Sequence, residues 1–224
     1  MSLTKYIRDI QSRFEAIPAP AALIYDAIPA RILRKPENRI VIDVVKAIEN
    51  KGTFLDLGSG TGYLTIEVAK NMPDLQVYGI DLSKKMVEIA TRHAEGVKNA
   101  KFVYGNAADL LFEDDSVDFI ISTGSLHHWK RPLRIFDECF RVLKNGKEAW
   151  IYDPCPDALT DDIDKAREKY GNLGHRFMIK ITQLHGFTRQ EYRSKIRRIL
   201  DQSAFKDSYQ MELTDIWMKT ILKK

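Results

Sequence analysis

The run Asp56-Leu57-Gly58-Ser59-Gly60-Thr61-Gly62 sets three glycines among small polar residues. Without β-carbons at 58, 60 and 62, a chain can bend sharply and bring its backbone N–H groups close to a ligand. An ordinary strand-to-helix turn has the same look, so two further spacings carry weight. Asp81 lies about 20 residues beyond the glycines, where an acidic side chain accepts both hydrogen bonds of a ribose diol. Asn106 and Ala107 offer a side-chain amide and a backbone N–H suited to an adenine edge. The loop reads GxGxG rather than the GxGxxG of a dinucleotide fingerprint, and Asp56 stands two positions before its first glycine. A carboxylate there repels a diphosphate and attracts an ammonium group. The pattern favours a nucleoside that carries an amino acid.

These residues need elements to hold them. Thr53–Leu57, Gln76–Ile80, Lys101–Tyr104, Val117–Ser122 and Glu148–Tyr152 are short apolar runs separated by glycine, aspartate or asparagine turns, and they read as five strands. Between the first two, Leu64, Val68 and Met72 recur at helical spacing; between the next two, Ser83 can cap a helix with Met86, Ile89, Ala90 and His93 on one face. Pro132 suits the first turn of another helix, with Leu133, Phe136, Cys139, Phe140 and Leu143 on its apolar side and Asn145-Gly146 ending it. Each strand is thus expected to feed a helix, with the candidate residues at the carboxyl ends of neighbouring strands, where open α/β sheets bind ligands. Thr188 and Glu191 form a capping-box pattern ahead of Tyr192, Ile196, Ile199 and Leu200, and SYQMEL and IWMKTIL read as a closing hairpin. The expectation is an α/β fold: a doubly wound, mostly parallel seven-stranded sheet with a C-terminal antiparallel hairpin and a helical lid.

Composition narrows the classes. The 224 residues are 44% hydrophobic and 29% charged, with 12 glycines and 8 prolines, which suits a globular domain and not a collagenous or disordered chain. Cys139 and Cys155, the only two cysteines, show neither CxxC spacing nor a nearby histidine cluster, so no metal site is expected. No apolar run approaches the ~18 residues of a membrane span, and the charged first residues lack a signal-peptide core. A cytoplasmic setting is the expectation. The net charge of +4 is too mild to imply nucleic acid. The organisation expected is a helical lid over 1–50, broken by its prolines; a nucleoside-binding core over 51–153; a cap over 154–187; and a C-terminal helix and hairpin over 188–224.

On these motifs the chain resembles the class I S-adenosylmethionine-dependent methyltransferases, especially the branch that includes ubiquinone- and menaquinone-biosynthesis enzymes. FLDLGSGTGYL is similar to the family's first motif, YGIDLSKKMVEIA to its ribose-binding motif, and YGNAADLLFEDDSVDFIIS to its adenine loop and fourth strand; SLHHW and RPLRIFDECFRVLKNGKEAWIYD complete the series. The resemblance covers roughly residues 53–153 and implies a Rossmann-like fold with S-adenosylmethionine as cofactor. It further implies that Gly58, Ser59 and Gly60 contact the methionine part, that Asp81 holds the ribose, that Leu82 packs on the adenine, and that Thr123 assists through its backbone. The family commonly has aspartate where Asn106 stands. An amide oxygen can accept the same adenine amino group, and Asp109 is a rival for that role.

Methyl transfer from a sulfonium needs alignment of a nucleophile and exclusion of water more than it needs acid or base. If the acceptor is a hydroxyl or phenol, a base helps, and His127, His128 and Asp153 stand at the right strand ends. A loop-shaping hydrogen bond accounts for each of the three equally well. The basic residues from Arg189 to Arg198 fit the solvated face of an amphipathic helix and have no interleaved aromatic platform. No (Asn/Asp/Ser)-Pro-Pro-(Tyr/Phe) motif follows the fourth strand. A small-molecule methyl acceptor is therefore expected, in a monomer or homodimer, with an RNA or other macromolecule methyltransferase and a catalytically inactive cofactor-binding partner as the alternatives.

Overall fold

In the computed structural model, residues 29–157, 186–214 and 216–224 are described. Residues 1–28 of the lid expected over 1–50, and 158–185 of the cap expected over 154–187, lie outside the described residues, as does Asp215 at the hairpin turn. Strands β1 (Gly52–Leu57), β2 (Leu75–Asp81), β3 (Ala100–Tyr104), β4 (Val117–Thr123), β5 (Leu143–Pro154), β6 (Tyr209–Thr214) and β7 (Trp217–Lys223) form one sheet in the order β3-β2-β1-β4-β5-β7-β6. The first five in that order are parallel, and β7 pairs antiparallel with both β5 and β6. The strand order reverses direction between β1 and β4, which opens a crevice at their carboxyl ends.

Helices α1 (Pro29–Ala47), α2 (Tyr63–Asn71), α3 (Lys84–His93) and α4 (Pro132–Val142) flank the sheet. A last helical segment, α5, begins at Arg189–Glu191, widens into a π turn over Tyr192–Ile196 and returns to α over Arg197–Leu200. Successive β1 residues point to opposite faces, and each face is dry. Phe54 packs with Leu64, Val68, Val77, Phe119 and Trp150, along with Ile40, Val41 and Val44 of α1. Leu55 and Leu57 pack with Ile120, Phe136, Cys139, Ile151 and Tyr192. Each such buried apolar side chain contributes about 1.5–3 kcal/mol, which fixes the strand register below the crevice.

Several expectations are met locally. Ser83 Oγ accepts from Met86 N at 3.5 Å and caps α3. Thr188 and Glu191 close a full capping box, and Pro132 opens α4.

Three expectations are corrected. Asn145-Gly146 does not end α4: Val142 does, because Leu143 turns to an extended conformation and pairs with Val117, placing Gly146, at φ 76°, inside β5. Strand β3 feeds no helix, since residues 105–116 run directly to β4 with only an Asn106–Asp109 bridge. Pro36 does not break α1, which continues through it to Ala47 with Ile40, Val41 and Val44 buried; core burial outweighs the one backbone donor a proline removes.

Candidate cofactor and proton-transfer site

The glycine turn follows β1 directly. Gly58, Gly60 and Gly62 all have positive φ, at 75°, 53° and 84°. A β-carbon on Gly58 would lie 2.7 Å from Ser125 Oγ, and one on Gly62 would lie 2.6 Å from the Phe102 ring, so both glycines serve internal packing. Gly60 differs: a β-carbon there would meet nothing within 4 Å. Of the three, it is the one whose missing side chain leaves open space.

Four of the turn's backbone donors, at 58, 59, 60 and 62, are used internally, contrary to the expectation that they face a ligand. Gly58 N and Ser59 N both donate to Ile80 O, at 2.8 and 3.1 Å, and Gly62 N donates to Ser59 O. Gly60 N donates to Asp81 Oδ2 at 2.9 Å, while Ser83 N donates to Asp81 Oδ1 at 2.8 Å. A loop with these donors engaged is no cradle for a diphosphate. Each Asp81 oxygen keeps a second lone pair, so the carboxylate can still accept two hydroxyls. Burial pushes Asp81 upward, against the pull of the two backbone bonds. Leu82, partly exposed, follows it at the crevice.

Asp56 is buried beneath the turn. Its Oδ2 accepts from Thr65 Oγ1 at 2.6 Å, while Oδ1 has no hydrogen-bond partner among the described residues. Burial pushes this carboxyl up to about 7; the Thr65 bond opposes the shift and the Asp81 charge adds to it. Such an aspartate is half-protonated near neutrality and is stabilised as an anion by a cation brought close. Ser59 Oγ is likewise buried without a partner among the described residues. Two unpartnered buried oxygens, spare acceptor capacity on Asp81, and engaged loop donors suit a nucleoside with a cationic tail better than a nucleotide.

After β3, Asn106 Oδ1 accepts from Ala108 N at 2.9 Å, and Asp109 N donates to Asn106 O at 2.9 Å. This tight turn leaves Asn106 and Ala107 partly exposed while Ala108 and Leu110 enter the core; the Asp109 side chain is exposed. Thr123 ends β4 and is paired with Tyr152.

Separate sequence candidates come together beyond β4. His127 lies on a 3-10 turn, Leu126–His128, and Asp153 lies near the end of β5. Their Nδ1 and Oδ1 atoms are 2.8 Å apart, with side chains 9% and 0% exposed. The His128 ring lies 4.0 Å from that of His127, centroid to centroid, tilted by 44°. The contact orients the imidazole, and which of the two atoms carries the proton sets the tautomer. The buried Tyr192 hydroxyl of α5 lies within interaction range of the Asp153 carboxylate, although neither it nor Asp153 Oδ2 makes a well-aligned hydrogen bond among the described residues. Burial raises Tyr192 well above the usual phenol range, and the neighbouring Asp153 charge adds to the rise, so it stays protonated.

Sequence reasoning missed the parts that join these pieces. Ser122 Oγ and Ser125 Oγ are 2.6 Å apart and lie 2.7 and 3.2 Å from Leu57 O; with one proton each, one hydroxyl donates to that carbonyl and the other to its serine neighbour. The turn bearing His127 is thereby tied to the strand end that starts the glycine loop. Tyr192 is legible in the sequence only as an apolar-face residue of its helix, and it sits at the first position of the π turn. Among the described residues no group of His, Cys, Asp and Glu could hold a metal, both cysteines are buried and free, and no helix is long and apolar enough to cross a membrane.

A family model described as a methyltransferase domain matches residues 48–211. The chain is similar to the chloroplastic 2-methyl-6-phytyl-1,4-hydroquinone methyltransferase of Arabidopsis thaliana, with 33% identity over 129 residues that make up 58% of this chain and 34% of the plant protein. It is also similar to the demethylmenaquinone methyltransferase of Thermotoga maritima, with 34% identity over 116 residues, 52% of this chain and 49% of that one. The chain thus spans between a third and a half of the length of these relatives. Among solved structures, a Methanococcus maripaludis protein assigned to the S-adenosyl-L-methionine-dependent methyltransferases superposes with a TM-score of 0.67 at 26% identity, covering 92% of this chain and 90% of the other. A SAM-dependent methyltransferase from Aquifex aeolicus shares the fold, with a TM-score of 0.63 at 20% identity over 92% and 98% of the two chains.

Proposed function

The chain belongs to the methyltransferase-domain family, and from that premise we propose that it is an S-adenosylmethionine-dependent methyltransferase whose acceptor is a small molecule with an ionisable hydroxyl, of the hydroquinone or phenol kind. The observation that carries the acceptor class is the 2.8 Å His127–Asp153 pair at the ends of β4 and β5, braced to the glycine loop through Ser122 and Ser125. The two relatives named for hydroquinone and demethylmenaquinone methylation support it.

When bound, the cofactor supplies an electrophilic methyl group already activated by the positive sulfonium. The chain's own residues supply placement and proton handling. Asp81 takes the ribose diol on its remaining lone pairs, with Leu82 beside the base. Asp56, with Ser59 Oγ nearby in sequence, provides the negative charge for the amino-acid end, and the bare Gly60 lets the ligand approach the backbone. Asn106 and Ala107 would address the adenine edge, with Thr123 assisting through its backbone.

His127 Nε2 accepts the acceptor's hydroxyl proton, and Asp153 holds the imidazole in the tautomer this requires and stabilises the imidazolium that forms. His128 packs against that ring and fixes its plane. Deprotonation concentrates electron density on the acceptor and raises its nucleophilicity, a contribution of typically about 10²–10⁴-fold.

Calorimetric titration with S-adenosylhomocysteine tests the cofactor, with binding and thermal stabilisation expected. Transfer of a labelled methyl group to a panel of hydroquinones, phenols, amines and RNA tests the acceptor. Turnover confined to the hydroxyl-bearing rings, and lost in His127→Asn while the titration is unchanged, is the expected result. Turnover on amines or RNA that survives His127→Asn removes the proposed acceptor class, and binding without turnover on any of them points to the inactive partner protein.

A further inference from the structure

Residues 105–116 connect the carboxyl end of the edge strand β3 to the amino end of β4, with β2 and β1 between the two in the sheet, yet they contain no helix and only one isolated bridge. Their shape is imposed from outside, by one face of α4. Arg134 Nε donates to Ala108 O at 3.2 Å. Glu138 Oε2 accepts from Leu110 N at 2.9 Å. Arg141 Nη2 donates to Leu110 O at 2.9 Å and Nη1 to Phe112 O at 2.8 Å. Positions 134, 138 and 141 recur at helical spacing, and the residues they grip, 108, 110 and 112, belong to a loop of a turn followed by a bend.

The grip is charged and partly dry. Glu138 is 3% exposed. Arg141 closes on it through Nε at 3.0 Å and Nη2 at 2.8 Å, a bidentate fork, and its Nη1 also reaches Asp114 at 2.8 Å. Arg134 adds a longer contact to Glu138 at 3.5 Å. The Arg141 bonds lower the Glu138 carboxyl from its ordinary value, against the opposing effect of burial, so the pair stays ionised throughout the neutral range. A buried pair of this kind adds little net stability, because desolvation opposes the attraction. Its other effect is to fix geometry. With Ala108 and Leu110 locked inward, Asn106 and Ala107 are set at a single height on the crevice wall by the turn that joins them.

We propose that Glu138 and Arg141 are positioning residues that determine nucleobase specificity, holding the 106–112 segment in the one register that lets it tell an adenine edge from another purine. They touch neither the ligand nor the reacting atoms. The inference rests on the cofactor reading above and adds a specificity device to it.

The test compares the affinities of the whole chain for S-adenosylhomocysteine and S-inosylhomocysteine, which differ only at the base edge, in wild type, Glu138→Gln and Arg141→Lys. Wild type is expected to prefer the adenosyl ligand. Both variants are expected to lose about tenfold or more of that preference, the equivalent of one well-made hydrogen bond. Amide exchange across 106–112 is expected to speed up in parallel. Arg141→Lys keeps the charge opposite Glu138 but not the planar fork that reaches two carbonyls, so it remains informative if Glu138→Gln fails to fold. A merely structural role lowers the melting temperature and leaves the adenosyl-to-inosyl ratio intact, and that result overturns the proposal. A wild-type chain that binds neither ligand sinks the cofactor reading itself, which is a different outcome from bound ligands with an unchanged ratio.

Discussion

Replacing the Asp56 carboxyl by an amide, Asp56→Asn, should stabilise the ligand-free protein at alkaline pH while weakening its grip on the cofactor. Burial lifts this carboxyl from 3.8 to about 7 in the folded chain. A group whose folded value lies above its unfolded value adds stability that is fully present below about pH 4 and is lost as pH rises through about 7. Between about pH 5.5 and about pH 8 the native state releases a proton that the unfolded chain has already lost. The effective span is about 1.5 units, which at about 1.36 kcal/mol per unit is ~2 kcal/mol. The amide of the variant keeps an oxygen for Thr65 Oγ1 and has nothing to titrate, so its stability lacks this decline. In melts, the variant should gain about 4–8 °C on wild type between the two pH values.

Binding should show the mirror image. Wild-type affinity for S-adenosylhomocysteine should rise with pH, by up to about tenfold per unit below 7, and flatten above it, because the ligand's ammonium favours the ionised carboxylate. The variant's affinity should be lower and flat. Urea or thermal melts at the two pH values, with calorimetric titrations alongside, give both numbers. A variant that tracks the wild-type stability slope, or a wild-type affinity independent of pH across this window, refutes the reasoning.

Three other outcomes follow from the same geometry. Gly58→Ala should destabilise the fold by about 2–3 kcal/mol, since its β-carbon meets Ser125 at positive φ. Gly60→Ala should lose only ~1 kcal/mol of stability yet impair cofactor binding more than Gly58→Ala does, and paired melts and titrations separate the two. Asp153→Asn should lower turnover by about 10²–10⁴-fold with cofactor affinity unchanged, and an equal loss of both would place Asp153 in the fold and not in proton transfer.

Local pattern determined much of this protein. Strand cores such as Phe54-Leu55 and Phe119–Ile121 are readable because a strand buried on both faces is nearly continuously apolar. The Ser83 cap and the Thr188–Glu191 box are readable because capping bonds span three residues. Asp81 and the glycines are readable because strand ends have fixed spacings in this kind of sheet. What tertiary structure alone decided involves partners distant in sequence. His127 and Asp153 are 26 residues apart, and only the pairing of β4 with β5 makes one group of them. Glu138 and Arg141 read as ordinary helix charges until α4 meets the 105–116 loop. The glycine turn's donors read as ligand-facing until Ile80 O and Asp81 take them. A sequence sets what each side chain can donate, accept or bury, whereas the choice among possible partners is made by packing the whole sheet at once.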